Sequence, residues 1–215
     1  MKQDACNNNS LSRIIPWGHE LLAEAVTPGS FVVDLTAGRG QDTLALWQMV
    51  GTQGQVVAFD VQACALEMTQ QRLLAAEVPV RKIDQVHLPV PIRPGVDLVE
   101  ICHSRYSEVI AASPAAIIAN LGYLPGGDQR LITRPETTLS SLRQALESLV
   151  AGGRMAVVVY PGHSGGESEA VLVGGFFSAL DSRFFDVLQM SLSNRRQAPG
   201  LFVVEKRTGS GRGSC

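Results

Sequence analysis

Two acids and a pair of glycines raise the first chemical question. Asp34 ends the apolar run that begins at Phe31 and is followed by Thr36, Gly38 and Gly40, and Asp60 ends a second apolar run that begins at Gln55. In an open α/β sheet, ligands bind beyond the carboxyl ends of the strands, next to the turn after the first strand. Glycine on that turn lets a ligand approach the main chain without meeting a Cβ, and the helix that follows offers free N–H groups. A dinucleotide site asks for G-x-G-x-x-G, but Thr43 stands in the third glycine place and no Walker lysine follows. An acid ahead of the glycines repels a pyrophosphate and attracts an ammonium group. An acid at the end of the second strand can accept hydrogen bonds from both hydroxyls of a ribose. The pattern suits a nucleoside with a positively charged amino-acid tail, and S-adenosyl-L-methionine is that molecule.

A second group of residues lies at "NLGYLPGGD", Asn120 to Asp128, at the end of another apolar run. An asparagine there, followed by Tyr123 and Pro125, resembles the N-P-P-[FY] loop of amino-group methyltransferases. In that loop an amide oxygen aims the lone pair of the target nitrogen and the aromatic ring flanks the target base. Such a displacement relies on alignment and desolvation, because a sulfonium leaving group needs no protonation. Asn120 and Tyr123 are the candidate catalytic residues. An incoming amine must shed a proton, for which Asp128, His103, Tyr160 and His163 are candidates. His19 and His87 read as structural or exposed, and Trp17 and Trp47 as packing residues.

These residues need an alternating α/β chain to position them. A helix is expected over Pro16 to Val26, ended by "TPG", and a strand over Phe31 to Leu35. Asp42 can cap a helix carrying Leu46, Trp47 and Val50; a strand at Gln55 to Asp60 and a helix with Leu66, Thr69, Leu73 and Leu74 follow. The proline-bearing stretch Val78 to Gly95 is not expected to be regular throughout, and further strands fall at Val96 to Ile101 and Ala115 to Asn120. Leu139, Leu142, Leu146 and Leu149 mark a helix stopped by Gly152 and Gly153, before a strand at Arg154 to Tyr160. A helix with Val173, Phe176, Phe177 and Leu180 precedes two closing strands, Phe184 to Leu192 and Leu201 to Lys206, and the polar link between them could form a hairpin. Residues 14–207 are therefore expected to form one domain, with loose tails at 1–13 and 208–215.

Composition narrows the function classes. With 18 basic and 20 acidic residues, the net charge of −2 gives no case for tight nonspecific binding to nucleic acid or an anionic membrane, although a local basic patch remains open. Cys6, Cys64, Cys102 and Cys215 are far apart with no C-x-x-C pair, so no zinc knuckle or disulfide framework is indicated. The N-terminus lacks the apolar core of a signal peptide and no apolar run is long enough for a bilayer. A reduced, cytoplasmic chain with no metal and no membrane partner is expected.

The order "DLTAGRGQDTLAL", "VVAFDVQ", "CHS", "NLGYLPGGD", "VVVYPGHSGGESEA" and "PGLFVVEK" resembles the bacterial class I methyltransferases once labelled rRNA methylases. Members of that family convert 5-aminomethyl-2-thiouridine at the tRNA wobble position to its 5-methylaminomethyl form. The resemblance implies a Rossmann-like α/β fold: a seven-stranded, mostly parallel sheet with helices on both faces and one antiparallel strand near its edge. It also implies that Asp34, Thr36, Gly38 and Gly40, with Arg39, Gln41 and Asp42 on the same turn, surround the methionine end of S-adenosyl-L-methionine. Asp60 and Gln62 would hold the ribose and adenine end, with Cys102 and His103 near the adenine and Asn120 beside the cofactor. Tyr123, Pro125, Gly126, Asp128, Tyr160 and His163 would face the aminomethyl uridine. The implied partner is tRNA through its anticodon arm, with Arg130, Arg134, Arg195 and Arg196 as phosphate contacts, and a homodimer would suit so small a domain. Arg39, Gln41, the long 78–95 link and the Arg195–Arg196 pair depart from the family pattern. They keep open a small-molecule or rRNA substrate, or a binding module without catalysis.

Overall fold

The computed structural model describes residues 11–122, 133–162, 165–195 and 197–209. Six helices and eight strands alternate along them: α1 Ile14–Ala23, β1 Phe31–Asp34, α2 Gln41–Val50, β2 Gln55–Asp60, α3 Ala63–Ala75, β3 Val80–Ile83, β4 Gly95–Glu100, α4 Tyr106–Val109, β5 Ala116–Asn120, α5 Pro135–Ser148, β6 Arg154–Val159, α6 Gly166–Ser178, β7 Phe185–Met190 and β8 Gly200–Lys206. The strands form one sheet in the order β3-β4-β2-β1-β5-β6-β8-β7. β8 runs antiparallel to both β6 and β7, and every other pairing is parallel. This is the Rossmann-like α/β architecture implied by the resemblance, with the single antiparallel strand next to the edge and a β7–β8 hairpin.

Strand alternation sends the apolar residues to two cores. Val32, Val56, Ala58 and Ile118 face one core with Leu22 of α1, Leu46 of α2 and Leu73 of α3. Val33, Val57, Phe59 and Ile117 face the other with Tyr106 of α4, Leu142 of α5 and Phe177 of α6. Because strands covered on both faces must be apolar throughout, β1, β2 and β5 read as continuous hydrophobic runs. Apart from Gln55 at the start of β2, the polar residues Asp34, Asp60 and Asn120 come at their last positions.

The sheet has eight strands where seven were expected, and the extra one comes from the 78–95 link. "VRKI" pairs in parallel with β4, and the link is anchored by Asp97, which is wholly buried. Arg81 Nε donates to Asp97 Oδ1 at 2.7 Å, Arg93 Nη2 to the same oxygen at 3.2 Å, and Gln55 Nε2 to Oδ2 at 2.8 Å. The first helix starts two residues earlier than expected, since Pro16 fits within its opening turn, and ends three residues earlier. Trp47 packs in the core, whereas Trp17 is half-exposed. The cap of α2 is Gly40, left-handed at φ 73°, and not Asp42, which lies inside the first turn.

Candidate active site

The chain order reverses between β1 and β5, which pair side by side at the centre of the sheet, so their carboxyl ends form the topological switch point. The two ends are tied: the Asn120 backbone N–H donates to the Thr36 hydroxyl at 2.7 Å. Over this point opens a cavity of about 780 Å³.

From the β1–α2 turn, Thr36, Gly38, Arg39, Gln41 and Asp42 line the cavity; from the end of β2, Asp60 and Gln62 do. Cys102 and His103 line it after β4, Asn120 at the end of β5, and Tyr160 after β6. Of the remaining expected residues, Asp34 and Gly40 do not line it. Tyr123, Pro125, Gly126, Asp128 and His163 lie outside the described residues, as do Arg130 and Arg196.

Asp34 is wholly buried beneath the turn. Its Oδ1 accepts the Thr36 N–H at 3.0 Å and its Oδ2 accepts the Thr43 hydroxyl at 2.6 Å. Thr43, the residue in the third glycine place, is thus the clamp that keeps this carboxylate under the backbone. Burial pushes the Asp34 carboxyl up to about 7 and the Asp42 charge adds to the rise, while the Thr43 and Thr36 donors oppose it. Gly40 is required by packing: a Cβ there would lie 2.8 Å from the Thr69 Cα of α3. The Thr69 hydroxyl also donates to the Gly38 carbonyl at 3.2 Å, fixing the bare bend from both sides.

Asp60 faces the cavity with each oxygen already oriented. Oδ2 accepts the Gly38 N–H at 2.9 Å and Oδ1 the Gln62 N–H at 2.9 Å. Burial raises its pKa from the ordinary value, and these backbone donors resist the rise. A carboxylate has about four lone-pair sites, so Asp60 keeps acceptor capacity for a ribose hydroxyl. His103 is nine-tenths buried in the wall; burial lowers its pKa and favours the neutral ring, and the Leu35 carbonyl opposes this. Its Nε2 is the one buried side-chain nitrogen or oxygen among the described residues without a hydrogen-bond partner.

At the β5 end, Asn120 Nδ2 donates to Asp42 Oδ2 at 3.2 Å. An ionised carboxylate only accepts, so this contact fixes the amide orientation and makes Oδ1 the acceptor offered to a ligand. Tyr160 stands beside it: burial, then the Asp42 charge, raises its pKa, and a hydrogen bond from Asn120 opposes them.

Two parts of the site were not anticipated from the sequence. His19 of α1, read as structural or exposed, places Nε2 2.7 Å from Asp42 Oδ1. Glu169 of α6 is buried and holds the chain at the start of α5: its two oxygens accept the Thr133 and Thr138 hydroxyls at 2.7 and 2.8 Å. The Thr133 N–H in turn donates to the Gly122 carbonyl at 3.0 Å. Neither contact follows from local spacing, since both join distant helices.

The residues present fit S-adenosyl-L-methionine. The bent backbone at Gly38 gives close access, Asp60 keeps acceptor capacity for a ribose, and the Asp34–Asp42 pair supplies negative potential for a cationic tail. Among the described residues no cluster of His, Cys, Asp or Glu could hold a metal ion, and no helix is long and apolar enough to cross a membrane.

Comparison with known proteins agrees with this geometry. Residues 56–206 match the family model described as "Putative rRNA methylase". A chloroplastic tRNA (mnm(5)s(2)U34)-methyltransferase of Arabidopsis thaliana is 36% identical over 196 residues, 88% of this chain and 68% of the relative. A solved rRNA-methylase structure from Clostridium thermocellum superposes with a TM-score of 0.80 at 33% identity, covering 89% of this chain and 96% of that one. A Streptococcus mutans methyltransferase in complex with SAH gives a TM-score of 0.75 at 31% identity, covering 90% and 98%. With its fold, switch-point cavity and ligand-ready acids, the chain belongs to this methylase family and is an S-adenosyl-L-methionine-dependent methyltransferase.

Proposed function

We propose that the chain methylates tRNA, converting the 5-aminomethyl group of the wobble (2-thio)uridine to methylaminomethyl. The observation that carries the reading is the arrangement at the end of β5, where Asn120 is held with its amide nitrogen on Asp42. Its amide oxygen is left to accept an N–H from a target amine and so direct the nitrogen lone pair. Asp34 and Asp42 make the same end of the cavity attractive to cations, which suits a protonated primary amine better than a neutral ring nitrogen. The tRNA methyltransferase relative from Arabidopsis supports the choice of substrate.

In this reading S-adenosyl-L-methionine supplies a methyl group on a sulfonium centre. Asp60 and Gln62 hold its nucleoside end, with Cys102 and His103 flanking the base. Thr36, Gly38, Arg39, Gln41 and Asp42 surround its amino-acid end, and Asp34 sets the turn from below. Asn120 aligns the acceptor nitrogen and Tyr160 flanks it, together with Tyr123, Pro125, Gly126, Asp128 and His163. Arg134 at the cavity mouth and the exposed Arg195 would meet phosphates of the anticodon arm.

The test is to incubate the protein with tRNA bearing aminomethyl-2-thiouridine and isotopically labelled cofactor, then digest to nucleosides for mass spectrometry. Label is expected in methylaminomethyl-2-thiouridine. Label in rRNA or metabolites with none in this nucleoside would contradict the reading.

A further inference from the structure

We infer that Asp42, oriented by His19, is the carboxylate that receives the target ammonium and takes its proton. The inference rests on the aminomethyl reading above. Asp42 lines the cavity yet is 92% shielded at its side chain, and its two oxygens have different partners. Oδ2 is bound to Asn120, the residue that directs the acceptor nitrogen, and Oδ1 to His19, whose side chain is 23% exposed. A line of hydrogen bonds therefore runs from the place of the reacting amine, through one carboxylate, to a histidine at the protein surface.

Chemistry asks for such a group. At neutral pH a primary alkylamine is mostly an ammonium, which has no lone pair to donate. Near Asp42 an N–H bond of the ammonium breaks with both electrons staying on nitrogen, and the proton forms an O–H bond on the carboxylate. Loss of that proton to water restores the carboxylate. The titratable groups facing Asp42 are His19 from α1, Asp34 from β1 and Tyr160 after β6. His19 is a positioning residue: its Nε2 lies 2.7 Å from Asp42 Oδ1 and aims the carboxylate.

The experiment has two readouts. Without methyl donor, fluorescence anisotropy compares anticodon stem-loops carrying either 5-aminomethyluridine or 5-methyluridine. The native protein is expected to prefer the amine by about tenfold, the scale of a charge-assisted hydrogen bond, and Asp42→Asn to lose that preference. With methyl donor, His19→Ala is expected to lower the single-turnover rate about tenfold with SAH affinity unchanged, and His19→Gln, which keeps an N–H donor, to restore most of it. Retention of the preference in D42N, or a native rate in H19A, overturns the proposal. So does a fall in SAH affinity with the preference intact, which assigns Asp42 to the cofactor's own amino group. If the native protein transfers no methyl group to the amine-bearing RNA, the proposed function itself fails, a result distinct from all of these.

Discussion

Asp97 and Asp34 are both wholly buried aspartates on interior strands of the sheet, and they are treated in opposite ways. Asp97 takes its hydrogen bonds from two guanidinium groups and a glutamine amide, so its charge is neutralised where it stands. Asp34 takes its bonds from a threonine hydroxyl and a backbone N–H, and its neighbours across the cavity floor include Asp42 and Asp60. The first is a clamp that fastens the 78–95 link to the sheet. The second belongs to a group of acids whose negative potential is left for something else to satisfy. Burying charge without a counter-ion is costly, and the cost shows in the raised proton affinity of Asp34 and Asp60. Methyltransferase chemistry accounts for keeping it, since the methyl donor carries both a sulfonium and an ammonium.

The largest expected effect breaks the clamp. Arg81→Ala leaves Asp97 buried with one guanidinium, and chemical denaturation should show a loss of about 3 kcal/mol, with SAH affinity per folded molecule unchanged. An effect on affinity as large as that on stability would mean the two regions are not separable. On the other side, Thr43→Val removes the 2.6 Å donor to Asp34 and should cost about 1–2 kcal/mol by the same assay. Asp60→Asn should behave inversely to Arg81→Ala: calorimetry is expected to show SAH binding weakened about tenfold, near 1.4 kcal/mol, with stability nearly preserved.

The smallest expected effect is in pH dependence. Because folding raises the Asp34 pKa from 3.8 to about 7, this group favours the folded state below the ordinary carboxylate range and loses that contribution as pH rises towards 7. Asp34→Asn cannot ionise, so its melting temperature relative to the native protein should be higher at pH 8 than at pH 5. A constant difference across that range would show that Asp34 is ionised throughout.

How much of this was readable beforehand follows from where each contact comes from. The β2 strand, Gln55–Asp60, lies at the expected residues because a run covered on both faces admits few alternatives, and its terminal acid was placed with it. Asn120 and Asp60 could be assigned to one edge of the sheet because parallel strands bring their last residues together. Asp34 could be located but not oriented, because what turns it inward is the Thr43 hydroxyl, nine residues along the chain. "VRKI" was missed as a strand because it is short, charged and at the edge, and its support is the Arg81–Asp97 pair formed across sixteen residues. His19 was passed over for the same reason: nothing in "GHELLA" points to Asp42, and only the packing of α1 against α2 brings the two together.

A crystal structure with S-adenosylhomocysteine decides whether the acids at the carboxyl edge of the sheet receive a nucleoside with a cationic tail. The ribose hydroxyls are expected within hydrogen-bond distance of Asp60, with the amino-acid end lying over the 36–42 turn. Density for the ligand away from this turn, or a ribose with no contact to Asp60, would contradict the account.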